Sequence, residues 1–192
     1  MTRLWWVRHG PTHEKSFVGW RDVPADLSDT ARIARLAAFL PAEAVIVSSD
    51  LQRAARTADA IVCDRQRLPD QRDLREMNFG IWDGMDWRAV SARDPELSRR
   101  FWEEPGDLRA PDGESWNEVS ARVARVVDDL TARFIGRDIV LVAHMGVIMT
   151  QIQRAAGSSA YQALGHQIDN LSVTQITRAS SGWTLGPVNH LP

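Results

Sequence analysis

The chain has 192 residues, 44% of them hydrophobic, which is enough to bury a sizeable core in one domain. Its 23 basic and 25 acidic residues leave a formal net charge of −2, so no strong field recruits nucleic acid or an anionic membrane. No apolar stretch approaches the ~20 residues of a membrane-spanning helix, a strand at the very start leaves no room for a signal peptide, and Cys63 has no partner for an internal disulfide, so a cytoplasmic location is expected.

The first apolar run, Leu4-Trp5-Trp6-Val7, reads as a buried strand that runs straight into Arg8-His9-Gly10. A loop through Gly19, Trp20 and Pro24 leads to a helix expected near Ser28, with that side chain as its cap, Ile33, Leu36 and Leu40 on one face and Pro41 as its stop. Ala44-Val45-Ile46-Val47 is the next strand. Ser49-Asp50-Leu51-Gln52 fits a capping box for a helix running to about Cys63, where the cysteine is expected as a small core filler. Arg53 therefore falls in the first turn of a helix that follows a strand.

From about Leu68 the pattern becomes irregular, and residues 77–112 read as a lid-like insertion with short helical pieces around Trp87 and Leu97. Ser115-Trp116-Asn117-Glu118 is a second capping box, opening a long helix with Val119, Val123, Val126, Leu130 and Phe134 along one stripe. A second apolar run, Ile139-Val140-Leu141-Val142-Ala143, enters His144-Met145-Gly146, and a helix with Ile148, Ile152 and Ala155 facing inward stops at Gly157. Leu171 to Thr177 and Trp183 to Leu185 are expected as two last strands joined through Ser180-Ser181-Gly182. The alternation predicts a single α/β domain over residues 1–192, a three-layer α/β/α sandwich. Its central sheet is mostly parallel, with helices on both faces and an antiparallel edge.

Both histidine-ended strands point their carboxyl ends at the crevice where open α/β sheets bind ligands. Four pieces in order carry a wider resemblance: Arg8-His9-Gly10-Pro11-Thr12, the run Ser48 to Ala58 around Arg53, the run Leu74 to Gly84 around Glu76, and Val142-Ala143-His144-Met145-Gly146-Val147. With these the chain resembles the histidine phosphatase superfamily, also called phosphoglycerate mutase-like, over essentially its whole length. The resemblance implies that His9 is a nucleophile forming a transient phosphohistidine, that Arg8, Arg53 and His144 hold the phosphoryl group, and that Glu76 donates a proton. It also implies a metal-independent phosphomonoesterase that needs no cofactor and takes a small phosphorylated metabolite as its partner.

The chemistry of the residues agrees. Neutral imidazole is a competent nucleophile near pH 7, and neighbouring Arg8 and Arg53 disfavour its protonated form. Arginine binds two phosphate oxygens with its planar fork, Arg53 gains from a helix amino terminus, and Thr12 offers a hydroxyl to the same anion. An alkoxide leaves poorly without a proton, hence the carboxylic acid. Asp73, Asp83 and Asp86 compete with Glu76 for that role, while Arg56, His13 and His166 read as structural or solvated. No His or Cys spacing matches a zinc site. Trp20, Trp82, Trp87, Trp102 and Trp116 fall in or beside the loops over the site, mostly as packing residues, although an aromatic-walled pocket would suit a flat apolar leaving group.

Within the superfamily the chain looks most similar to alpha-ribazole phosphatases, through its Glu-Met-x-Phe-Gly-x-Trp motif, Gly113-Glu114 and the Ala163-Leu164-Gly165-His166 stretch. Alpha-ribazole 5'-phosphate is therefore a candidate substrate. Residues 83–112 are acidic on balance, with eight carboxylates against five arginines, unlike the basic loop of true mutases. Phosphoglycerate mutase-type transfer and a non-catalytic phospho-ligand binding module are the alternatives. Lys15 stands where many members have asparagine.

Overall fold

The two histidine-ended runs become neighbouring strands at the middle of one sheet in a computed structural model that describes residues 1–192. Strands β1 (Thr2–Arg8), β2 (Val45–Ser48), β3 (Gln66–Arg67), β4 (Asp138–Ala143), β5 (Val173–Ala179) and β6 (Gly182–Leu185) lie in the order β3-β2-β4-β1-β5-β6. β1 through β4 run parallel, β5 runs against β1, and β6 runs against β5, so β5 alone is reversed. The register of β1 on β4 pairs Arg8 with Ala143. His9 continues it by donating its N–H to the Ala143 carbonyl at 3.1 Å, and the next residue on each strand is a histidine.

Alternation along the strands divides the core into two layers. Leu4, Trp6, Val45, Val47, Ile139 and Leu141 face one side, where they meet α5 (Trp116–Arg133) and α6 (Met145–Ala156). Val7, Ile46, Val140 and Val142 face the other, against α1 (Thr30–Phe39) and α2 (Gln52–Ile61). This is the three-layer arrangement foreseen. Residues 77–112 contribute two short helices, α3 (Trp87–Arg93) and α4 (Pro95–Glu103), and a last short helix, α7 (Ala160–Leu164), packs against α6. The Ser115 capping box forms, and Gly157 stops α6 in the left-handed conformation. On α5, Val127 is buried while Val126 and Phe134 are only half-buried, so the stripe is rotated slightly from its expected line.

Three local expectations fail for tertiary reasons. Asp26 takes the Ser28 N–H at 2.9 Å, the chain bends there, and α1 is capped by Asp29 through the Arg32 N–H instead. The Ser49 hydroxyl accepts from Leu51 rather than capping α2, whose first N–H goes at 2.7 Å to Asp22 from a distant loop. Cys63 is exposed, with φ of 46°, because α2 ends at Ile61 and the chain turns back. That turn brings buried Arg65 under the ends of α1 and α2. There its guanidinium donates to the carbonyls of Ala37, Leu40, Pro41, Ile61 and Val62, groups that a helix end otherwise leaves unpaired. The two-residue strand β3 follows, too short to show a pattern in the sequence.

Arg65→Met removes these donors while keeping the stem. It is expected to lower unfolding stability by roughly 2–4 kcal/mol, read from urea denaturation. A loss below about 0.5 kcal/mol would show that the carbonyls find water instead.

Candidate active site

The ends of β1 and β4 place the rings of His9 and His144 with centroids 5.0 Å apart and planes tilted by 60°. Each ring has one hydrogen-bonded nitrogen, and the partner fixes the proton. Nδ1 of His9 lies 2.7 Å from the Gly10 carbonyl, which only accepts, so Nδ1 carries the hydrogen and Nε2 the lone pair. His144 is the mirror case. Arginine only donates, and Arg53 Nε points at His144 Nδ1 at 3.2 Å, so the hydrogen sits on Nε2. That Nε2–H is buried and has no partner in the protein. Burial, with Arg53 and Arg8 adding to it, pushes the His9 pKa down to about 3, and burial beside Arg53 holds His144 well below the usual histidine range. Both imidazoles are neutral at pH 7.

Arg53, in the first turn of α2, is only 1% exposed. Besides His144 it donates to the carbonyls of Val18 (3.4 Å), Gly19 (2.7 Å) and Arg21 (2.9 Å). Most of its donors are thus engaged by the protein, and fewer remain for an anion than the sequence suggests. Arg8 is the opposite case. Nη1 reaches the Ile168 carbonyl at 2.5 Å, while Nε is buried with no partner.

Glu76 is buried and pinned from several directions. Its carboxylate accepts from the Met77 N–H at 2.9 Å and the Gly146 N–H, in the first turn of α6, at 3.3 Å. Its carbonyl accepts from the Trp20 indole (2.8 Å) and from Arg122 (2.9 Å). A Cβ on Gly146 would lie 2.6 Å from Glu76 Oε1, so glycine is what lets this helix end approach the carboxylate. Asp83 is not a rival acid. Its carboxylate accepts the consecutive N–H groups of Gly19, Trp20 and Arg21 at 3.2, 2.9 and 3.0 Å, holding the loop that Arg53 grips from the other side.

A cavity of about 180 Å³ opens beside His9, and Arg8, Thr12, Arg53 and Glu76 line it too. Of the sequence candidates, His144 alone is set back from this lining. Glu14, Ser16, Phe17, Val18, Phe79, Trp102 and Met145 also line it. Trp102 is thus the one loop tryptophan that supplies an aromatic wall to the cavity, while Phe79 and Met145 follow the Glu76 and His144 motifs and Glu14, Ser16, Phe17 and Val18 have no motif to announce them. Of the other four loop tryptophans, Trp82 and Trp116 are buried, Trp87 is exposed and Trp20 serves Glu76. Asp86 caps α3, Asp73 pairs with Arg125 at 3.7 Å, and His13 pairs with Asp26 on the surface. Arg56 and Lys15 are exposed, and His166 lies outside the lining. A larger hollow of about 550 Å³ between α1 and α2 is mostly apolar and lacks this chemistry.

Residues 4–190 match the model of the histidine phosphatase superfamily (branch 1). A bifunctional protein of Mycobacterium tuberculosis is 32% identical over 198 residues, which cover 91% of this chain and 50% of that protein. The chain thus spans about half the length of such curated relatives. The fold superposes on the YhfR protein of Bacillus stearothermophilus with a TM-score of 0.90 and 26% identity, covering 100% of this chain and 98% of that one. The alpha-ribazole phosphatase of Shigella flexneri gives 0.83 and 27%, covering 97% and 96%.

The buried imidazoles also set a pH dependence. His9 has a folded pKa of about 3 against 6.5 for the free group, so between those values the unfolded chain binds the proton more readily. Stability is full above about pH 6.5 and drains as the pH falls toward 3. His144 acts in the same direction. Urea midpoints taken from pH 7.5 to 5 are expected to fall in the wild type and less steeply in His9→Asn. Equal slopes would show that His9 titrates normally.

Proposed function

The chain belongs to the histidine phosphatase superfamily, and from that premise we propose that it is a phosphomonoesterase working through a phosphohistidine on His9. The observation that carries the reading is the pair of opposite tautomers. His9 is neutral with its Nε2 lone pair free, while His144 Nε2–H and Arg8 Nε–H are buried donors with no partner. Such orphaned groups cost about 1–3 kcal/mol each unless a ligand meets them. Phosphoryl oxygens beside His9 would do so.

In the proposed first step, Nε2 of His9 attacks phosphorus in line with the leaving oxygen. The N–P bond forms, the P–O ester bond breaks, and Glu76, protonated in the substrate complex, gives its proton to the leaving oxygen. The imidazole keeps its Nδ1 hydrogen, which goes on donating to the Gly10 carbonyl as the ring gains positive charge. Arg8, His144 and the free part of Arg53 bind the equatorial oxygens, with Thr12 at the same wall. Water then attacks phosphorus and gives a proton to Glu76, the N–P bond breaks, and phosphate leaves with His9 neutral again. The guanidinium groups supply the positive charge, so the step is proposed to be metal-independent.

The balance of charge favours hydrolysis over transfer. Arg8 and Arg53 are the only cations among the lining residues and are committed to the reacting group, while Glu14 adds a negative charge. A second phosphate, which phosphoglycerate mutase-type transfer requires, would find no partner there. Likeness to the Shigella flexneri alpha-ribazole phosphatase makes alpha-ribazole 5'-phosphate the first natural substrate to try.

Phosphate release from p-nitrophenyl phosphate is expected to survive EDTA and to vanish in His9→Ala. Retained turnover in that variant, or loss on EDTA, would overturn the mechanism. Glu76→Gln is expected to cost about 10²–10⁴ in rate on an alkyl phosphate and far less on p-nitrophenyl phosphate, whose leaving group needs no proton. An equal loss on both would remove Glu76 from the acid role.

A further inference from the structure

We infer that the cavity beside His9 holds a leaving-group subsite for a flat, uncharged aromatic group, with Trp102 as its specificity-determining residue; this rests on the phosphatase reading above. Part of the lining is built from rings. Phe17 and Trp102 stack with centroids 5.8 Å apart and planes 20° apart, and Phe79 lies 5.1 Å from Phe17 and 6.3 Å from Trp102. Val18 and Met145 extend the apolar surface.

This wall is anchored. Phe101 meets Trp102 edge-on at 4.9 Å and is itself backed edge-on by fully buried Trp82 at 5.2 Å, whose indole donates to Asp94. Phe17 is tied by its backbone to the same segment, donating to the Met85 carbonyl and accepting from Gly84, both at 2.9 Å. Rings fixed in this way offer a face to stack on without an ordering cost at binding.

Charge sharpens the choice. Apart from Glu76, the one charged group on the lining beyond the two arginines is Glu14, whose carboxylate is held by Arg21 at 3.0 Å and Ser16 at 3.2 Å. A leaving group bearing a carboxylate or second phosphate would face that carboxylate, and the nearby Arg21 is already shared between Glu14 and Asp83. A small polyol could reach Thr12 or Ser16 but would leave the faces of the rings uncovered. An aromatic alcohol, or an alcohol carrying a neutral heterocycle, meets neither penalty.

The test compares kcat/KM for 2-phenylethyl phosphate, ethyl phosphate and 3-phosphoglycerate, whose leaving groups are all alkoxides, so that differences report the subsite. The wild type is expected to favour 2-phenylethyl phosphate by about tenfold or more over either. Trp102→Ala should remove most of that preference and Trp102→Phe should keep most of it. Equal rates on the three substrates, a preference for 3-phosphoglycerate, or a preference that survives in Trp102→Ala would overturn the subsite while leaving the phosphatase reading intact. No phosphate release from these or from p-nitrophenyl phosphate would instead count against that reading. Calorimetry with 2-phenylethylphosphonate and ethylphosphonate needs no turnover, and there tighter binding of the aromatic ligand supports the subsite and equal binding overturns it. Should Trp102→Ala fail to fold, Phe17→Leu removes the opposite ring and is read in the same way.

Discussion

The guanidinium of Arg53 sits in the interior with its donors divided among a histidine nitrogen and three carbonyls of one loop. A buried cation is expensive to desolvate, and it persists where its hydrogen bonds are made and negative groups stand near. Here the carbonyls of Val18, Gly19 and Arg21 turn toward Arg53 while the N–H groups of residues 19–21 turn toward Asp83. The peptide dipoles of the loop lie between a cation and an anion. Through this loop Trp20 is placed to hold the Glu76 carbonyl, and through Nε Arg53 selects the tautomer of His144. One side chain thereby orders the buried Nε2–H of His144, the segment that carries Glu76, and its own approach to the cavity.

The parts of the molecule that could be read from the chain are those whose cause is local or periodic. The apolar runs before His9 and His144 gave β1 and β4, and the Ser115 box and Gly157 gave the limits of α5 and α6. The parts that could not be read depend on contacts distant in sequence. Asp22 caps α2 across a separation of 30 residues, which no window around Ser49 reveals. Cys63 is turned outward by the reach of Arg65 to α1. Asp83 looks like a spare acid until its three N–H partners, more than 60 residues earlier, are in place. Phe17 carries no signal of its own, since single aromatic residues in loops are ordinary, Phe79 stands out only as part of the Glu76 motif, and only the folded loops show them as one wall.

The two ends of the cavity have different origins. The part that holds His9, Arg8 and Arg53 is made at a strand end and a helix start, elements held by the sheet, whereas the rings of Phe17, Phe79 and Trp102 come from the early loop and from residues 77–112. Chemistry placed on rigid elements stays fixed while loops beside it vary, which is how one fold serves many substrates. Membership of the superfamily therefore speaks to the first end, and only the residues of this chain speak to the second.

The position of β1 in the sheet has a consequence for how the molecule comes into being. Both of its neighbours, β4 and β5, lie in the C-terminal part of the chain, beginning at Asp138 and Val173. The strand of this fold that is made earliest is thus among the last to find a partner, and Leu4, Trp5, Trp6 and Val7 remain without their native cover until β4 and β5 have been made. Pairing over such separations closes large loops and slows folding, with an apolar segment open to association meanwhile. The juxtaposition that brings two histidines together from distant parts of the chain thus leaves an apolar strand waiting for its partners while the fold is made.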